Sequence, residues 1–393
     1  MKISLLKERE DFYKIFVCTI EKYLSNKLAK KVVIEKFNHR GAIKFNVNEE
    51  LNIIYPQSIK RKELNSLVQE FTWNKNWIKR LLQKAYAYVA IRFPFELILS
   101  RETLYFEGAA IEIRNCVFIP GNHSIRIIDV FQNTSTVIAK DGFNAEFLFK
   151  DAELRLAYST LNVPYVLSLN KERRSYVEER ISGLPLNRLA SELTKANVLQ
   201  KTQSDLASLY QASLAQIDGF TYVQKLSKDI LRSTQDFLKS EELPTGHTIN
   251  TLVKTLLKLL YSFDINVINI CETHGDFQPA NILCNADKFW IIDWEYSKPR
   301  SIFYDALTFD LEARFDSGLS RRLNLLSRGL NSGESYYEWT GQRLTQNSSF
   351  YLFLFLLEDI FLRIEELSSL SVAKRYEKLC PYLFEISKFI ENK

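Results

Sequence analysis

Four side chains able to handle charged oxygen chemistry fall within twenty residues of one another. They are His274, Asp276, Asn281 and Asp293, in the stretch ETHGDFQPANILCNADKFWIIDWEYSKP (Glu272–Pro299). Two short apolar runs lie among them, NILCN (Asn281–Asn285) and FWIID (Phe289–Asp293). These read as strands joined by a turn over Asn285–Lys288. A hairpin brings its two ends side by side, so Asn281 at its entry and Asp293 at its exit meet, with Asp276 on the loop before them. Convergent carboxylate and amide oxygens make a hard-cation site, suited to Mg²⁺ held together with phosphate oxygens. A carboxylate set slightly apart can orient an attacking hydroxyl, which is the layout phosphoryl transfer requires. The plain alternative is turn and capping chemistry. The flanking strands favour the first reading.

The elements that must position these groups divide the chain into three parts. Residues 1–103 are mixed. KEREDFYKIFVCTIEKYLSNKLAKK reads as a helix with Phe12, Phe16, Ile20 and Tyr23 on one face, and AIKFNVNEELNIIY as two short strands. FTWNKNWIKRLLQKAYAYVAI reads as a second amphipathic helix. Its apolar stripe is Trp73, Trp77, Leu81, Ala85 and Tyr88, and Lys75, Lys79, Arg80 and Lys84 lie on the other side. From Leu104 the runs IEIRNCVFI (Ile111–Ile119), SIRIIDVF (Ser124–Phe131) and STVIAK (Ser135–Lys140) read as strands parted by PGNH and QNT turns. A helix over Asn144–Asn162 and a strand in VPYVLSL follow. Beyond Arg174 the chain is mainly helical, interrupted by the hairpin. FYLFLFLL (Phe350–Leu357) is too short to span a bilayer and reads as core helix. The expected fold class is α+β.

HGDFQPANIL followed by IIDWE resembles the signature of the aminoglycoside phosphotransferase / choline kinase group. The pattern is H-G-D-x-x-x-x-N, then I-D-W/F-E at the end of the next strand, and every fixed position is present. The likeness runs from Ile111 to Phe315. It implies a two-lobed protein-kinase-like fold: a β-rich N-lobe over 104–180, a mainly helical C-lobe over 181–393, and an additional N-terminal α/β region over 1–103 of unassigned role. It implies ATP and Mg²⁺ as cofactors, bound in a cleft between lobes. It also implies that Asp276 orients the acceptor hydroxyl and that His274 holds the loop. Asn281 and Asp293 would ligate the metal, with Asp305 in a structural role. The place of Glu295, which follows the metal Asp, is less uniform in the group.

The same likeness asks the N-lobe for a lysine on the nucleotide phosphates. TVIAK places Lys140 there, with a carboxylate partner due from the next helix. Glu153 is the preferred partner and Glu146 the alternative. The turn PGNHS, with Gly121 as its one glycine, would cover the phosphates. SYVEERISGLPLNRL resembles the hinge, with Glu179, Arg180 and Ile181 nearest adenine. The plain readings are a solvated strand-end lysine, a solvated helix glutamate and an ordinary hairpin turn.

Composition bounds the rest. With 46% hydrophobic, 25% charged, 12 Gly and 9 Pro among 393 residues, the chain reads as folded protein with little linker. A net charge of +5 falls short of a nucleic-acid binder. Five scattered cysteines without CxxC point to reduced thiols and a cytoplasmic setting. Cys271 and His274 form a C-x-x-H pair with no second pair to complete a zinc site. The N-terminus turns charged within seven residues, unlike a secretory signal. The helix around Trp73 and Trp77 either packs on its own domain, the reading preferred, or lies peripherally on the inner face of a membrane. Asp310, Glu312 and Asp316 form a weak acidic cluster that would suit a cationic drug, whereas the basic N-terminal region and KPRS (Lys298–Ser301) suit a sugar or cell-surface glycan. The second acceptor class is favoured. An aminoglycoside-modifying kinase and a non-catalytic pseudokinase are the alternatives.

Overall fold

The computed structural model describes residues 3–37, 41–68, 72, 76–92, 95–100, 102–235, 245–264, 266–285, 288–329, 336–342, 348–368 and 372–391. The chain divides into two compact units, 1–157 with 163–184, and 158–162 with 185–393. Trp73, Lys75 and the middle of the turn expected over Asn285–Lys288 lie outside the described residues.

The first unit is built on a nine-stranded sheet. Its strands are β1 (Val33–Glu35), β2 (Ile43–Asn48), β3 (Ile53–Pro56), β4 (Glu102–Glu107), β5 (Cys116–Pro120), β6 (Ser124–Asp129), β7 (Thr134–Ala139), β8 (Val166–Asn170) and β9 (Ser175–Glu179). The order across the sheet is β1-β4-β2-β3-β5-β6-β7-β9-β8, with every pairing antiparallel. The boundary expected at 103/104 is therefore absent. Strands from both sides of it share one hydrogen-bonded sheet, because Ile54 of β3 pairs with Phe118 of β5. Local chemistry sets the hairpins. Asp129 accepts the backbone N–H groups of Phe131 and Gln132, and Asn133 takes the left-handed φ of 54° that turns the chain into β7.

The helices of this unit are α1 (Ile3–Arg9), α2 (Phe12–Leu28), α3 (Arg61–Leu67), α4 (Trp77–Ala90), α5 (Phe95–Leu99), α6 (Ala110–Ile113) and α7 (Glu146–Ala157). The single N-terminal helix expected is two, broken at Glu10–Asp11. The face foreseen on α2 is the one that packs: Phe12, Phe16, Ile20 and Tyr23 join Phe45, Phe106, Phe118, Ile125 and Ile138 of the sheet. The opposite face carries α7, with Leu148 and Ala152 against Val137, Ala139 and Tyr176. The strand expected from Ile111 starts only at Cys116, because Ala110–Ile113 close one helical turn with Ile111 exposed.

The second unit is mainly helical: α8 (Glu192–Ser213), α9 (Gly219–Ser233), α10 (Thr245–Leu260), α11 (Tyr304–Asp310), α12 (Leu319–Gly329), α13 (Tyr337–Thr340), α14 (Ser348–Glu366) and α15 (Val372–Ile390). Ser191 and Asp218 cap α8 and α9 by accepting the N–H groups of Thr194 and Thr221. FYLFLFLL sits in α14 with all but Tyr351 of the run buried, a core helix as its composition required. Strands β10 (Ala215–Asp218), β11 (Val267–Thr273) and β14 (Lys298–Ser301) form one small sheet, and β12 (Ile282–Asn285) with β13 (Lys288–Ile291) form the hairpin.

Candidate active site

Register brings the oxygen donors together in the second unit. Ile282 of β12 pairs with Ile291 of β13, so Asn281 and Ile292 are the next residues at the hairpin's open end. Ile292 N–H donates to the Asn281 carbonyl at 2.9 Å, which sets Asp293 beside Asn281. The Asn281 amide Nδ2 donates to the Asp276 carbonyl at 2.9 Å and to Asp276 Oδ2 at 3.2 Å. With Nδ2 committed to Asp276, the acceptor of that amide is Oδ1. Asp293 is exposed and adopts φ 73° and ψ 51°, a left-handed conformation uncommon for an aspartate and of the kind that concentrates at functional sites.

The loop is held from beneath. Asp305 at the start of α11 is fully buried and accepts the N–H groups of His274 (2.7 Å) and Gly275 (2.9 Å) and the hydroxyl of Tyr210 (2.8 Å). Burial first, then this carboxylate, push the Tyr210 phenol well above its ordinary pKa. His274 Nε2 lies 2.9 Å from the Ile292 carbonyl, and Nδ1 lies 3.2 Å from the Asp276 N–H. A carbonyl only accepts and an amide only donates, so both bonds require the neutral ring with its proton on Nε2. His274 thus ties the residue bearing the loop carboxylate to the residue before Asp293. Gly275 has φ +88°, and a Cβ there would collide with the Tyr296 carbonyl.

Arg314 completes the surroundings of Asp276. Its Nε donates to Asp276 Oδ1 at 2.5 Å, its Nη2 to the Gly275 carbonyl at 3.2 Å and its Nη1 to Glu366 at 3.3 Å. Burial opposes a charged guanidinium here. Asp276, Asp359 and Glu366 outweigh it and raise the Arg314 pKa. No motif marks Arg314. It lies thirty-eight residues from Asp276 in sequence, and only the turn after α11 brings it back.

The first unit corrects the lysine pairing. Lys140 is buried and ion-pairs with Glu10, at the break between α1 and α2. Glu153, the expected partner, is half-exposed and pairs with Lys171 at 2.6 Å. Glu146 bonds Asn144 at 3.2 Å instead. The reason is strand parity. Val137 and Ala139 face α7, Ile138 faces the α2 cluster, and Lys140 follows Ile138 onto the α2 side. The charges on the α7 side are others: Arg155 bonds Asp151 (2.8 Å) and Glu178 (2.7 Å), Arg126 of β6 pairs with Glu178, and Tyr176 donates to Asp151 at 2.5 Å.

The remaining expectations in this unit fare unevenly. Gly121 has an ordinary φ and donates its N–H to the Ser124 carbonyl at 2.8 Å, closing the β5–β6 turn. Glu179 N–H goes to the Tyr165 carbonyl (2.9 Å) and Arg180 N–H to that of Asn133 (3.2 Å), so two of the three amides expected near adenine are engaged inside the sheet unit. Ile181 follows them at intermediate exposure.

The charge clusters weighed for the acceptor are partly spent. Asp316 pairs with Arg363 at 2.9 Å. In KPRS, Lys298 pairs with Glu365, and Arg300 is buried against Thr273 (2.8 Å) and the Tyr296 carbonyl (3.1 Å).

No protein-family profile matches the chain, and no curated protein matches it. Solved structures do. A choline/ethanolamine kinase family protein from Mesorhizobium loti aligns at 14% identity and a TM-score of 0.45, over 79% of this chain and 98% of its own. A thermostable mutant of the aminoglycoside phosphotransferase APH(4)-Ia, in ternary complex with AMP-PNP and hygromycin B, aligns at 11% and 0.48, over 72% and 96%. The streptomycin–ATP complex of APH(2")-IIa aligns at 12% and 0.45, over 76% and 99%.

Proposed function

We propose that this protein is an ATP-dependent phosphotransferase that moves the γ-phosphate to a hydroxyl of a small molecule, a sugar or glycan in preference to an aminoglycoside. The observation that carries the reading is the closed set of bonds Asp276–Asn281–Ile292–His274, which fixes two carboxylates and an amide around the open end of one hairpin. The donor set fits Mg²⁺. Asn281 Oδ1 and the Asp293 carboxylate are hard oxygens, and a magnesium site needs only one or two protein carboxylates beside water and phosphate. Mg²⁺ with ATP would supply the phosphoryl group and neutralise its charge.

The chain's own residues do the rest. Asp276 accepts a hydrogen bond from the acceptor hydroxyl and aims its oxygen at the phosphorus. Arg314 on Oδ1 and Asn281 on Oδ2 hold that carboxylate in one orientation. Positioning of this kind, with charge neutralisation, carries most of the acceleration in phosphoryl transfer. A polycationic drug would need several carboxylates. With Asp316 consumed by Arg363, Asp310 and Glu312 remain of the acidic cluster, which favours a less basic acceptor.

The test is a screen of hydroxyl acceptors, sugars and aminoglycosides together, with labelled ATP and Mg²⁺. Label should pass to a sugar-class acceptor in wild type, and Asp276→Asn should lower turnover by about 10²-fold or more while ATP still binds. Transfer to aminoglycosides alone would replace the acceptor class. Absence of both transfer and ATP hydrolysis would leave a binding module.

A further inference from the structure

Helix α4 is mounted with its large side chains outward. It meets its own core through small residues: Ala87 and Ala90, with Ile91 just beyond, pack on Leu51, Ile53, Tyr55 and Leu64. At about 100° per residue, Trp77, Tyr88, Leu81, Ile78 and Leu82 cover an arc of roughly 140° away from that contact. All five are exposed, from 50% for Ile78 to 66% for Trp77. The helix packs on its own unit, the reading preferred from the sequence, but through its alanine side, and the described stripe residues Trp77, Leu81, Ala85 and Tyr88 stay exposed. An apolar face of this size and continuity on a soluble surface calls for a partner.

The flanking charges say which. Lys79 and Lys84 border the arc on its two sides, Arg80 lies between them at the back, and all three are exposed. Arg92 stacks on Tyr88, 3.2 Å from the ring centroid. From Asn76 to Arg92 there is no acidic residue. Asn76 caps the helix by accepting the N–H groups of Ile78 (3.0 Å) and Lys79 (3.2 Å), so its first turn is closed by the chain itself. A Trp- and Tyr-bearing apolar arc edged by long cations, with no anion to repel, matches the surface of an anionic bilayer. The rings enter the headgroup boundary, and the lysines extend to the phosphates. Among the described residues no helix is long and apolar enough to cross a membrane, so α4 would lie on it.

We infer that α4 docks the protein onto an anionic lipid surface. The experiment is co-sedimentation of the full chain with phosphatidylcholine vesicles and with vesicles of phosphatidylcholine and phosphatidylglycerol, at low and high salt. Wild type should pellet with the anionic vesicles and be released by salt. Each cation at the surface is expected to be worth about fivefold in partitioning. The W77E/L81E/L82E variant should stay in the supernatant with an unchanged melting temperature. The K79E/R80E/K84E variant should lose the anionic preference. Wild type remaining soluble with both vesicles would overturn the inference. So would an apolar-face variant that still pellets, or one whose only change is in oligomeric state.

Discussion

Asp276 is met by donors on both oxygens: Arg314 on Oδ1, Asn281 on Oδ2, and the Gln278 amide 3.1 Å from each. A carboxylate so engaged has little freedom to rotate, which suits aiming a hydroxyl. Arg314 is then a positioning residue that sequence spacing does not reveal. Arg314→Met is expected to lower kcat by about 10²-fold while the KM for ATP changes little, because the proposed metal ligands are untouched. Steady-state kinetics over both substrates measures this. An unaltered kcat would remove Arg314 from the site. Asp293→Asn has the complementary signature. Calorimetric titration with ATP should show Mg²⁺-dependent binding in wild type and none in the variant. The convergence of His274, Asp276, Asn281 and Asp293 was legible because it is local to one loop and one hairpin. Arg314 was not, since its pairing depends on tertiary packing alone.

The lysine of β7 shows where reading by element stops. Alternation along STVIAK is plain in the sequence, yet alternation does not say which helix covers which face. The structure gives Val137 and Ala139 to α7 and sends Lys140 to the α2 side, where Glu10 neutralises it. Removing one partner of a buried pair strands the other charge, so Lys140→Met should cost about 3–5 kcal/mol of stability. The double variant Lys140→Met with Glu10→Leu should recover most of it. Denaturant melts of the two proteins decide this; equal losses would mean the pair is not coupled. If the sheet supplies a cation to the nucleotide phosphates from the α7 side, the residue placed for it is Arg126, whose carboxylate partner Glu178 comes from strand β9 and not from a helix. Arg126→Ala should then weaken ATP binding by about tenfold or more, whereas the Lys140/Glu10 double variant should bind ATP as wild type does. The reverse result would return the phosphate contact to Lys140.

At the scale of the whole molecule, the sheet that runs unbroken across residue 103 and the helical second unit were only half legible. Strand runs and helix faces were readable from periodicity. The joining of residues 1–103 to the rest was not, because long-range pairing such as Ile54 with Phe118 leaves no mark on either segment. What both units share is a core rich in neutral acids. Burial pushes the phenols of Tyr176, Tyr210, Tyr304 and Tyr382 well above their ordinary value of 10.0. It also pushes the Cys116 thiol up to about 12 and the Cys284 thiol up to about 11. These groups stay protonated in the folded chain while the unfolded chain begins to ionise near pH 9 for the thiols and 10 for the phenols. The unfolded state therefore binds fewer protons, and stability must fall as pH rises. Each group contributes in full below its unfolded pKa and loses about 1.4 kcal/mol per pH unit above it, until its folded pKa is reached. The melting temperature should accordingly fall slowly from pH 9 and steeply beyond pH 10. Thermal melts by circular dichroism across pH 7 to 11 measure the curve. Tyr304→Phe, which gives up a 3.0 Å hydrogen bond to Asp359, should start lower and descend less steeply above pH 10. Parallel curves for the two proteins would mean that Tyr304 ionises in the folded state as readily as in the unfolded one.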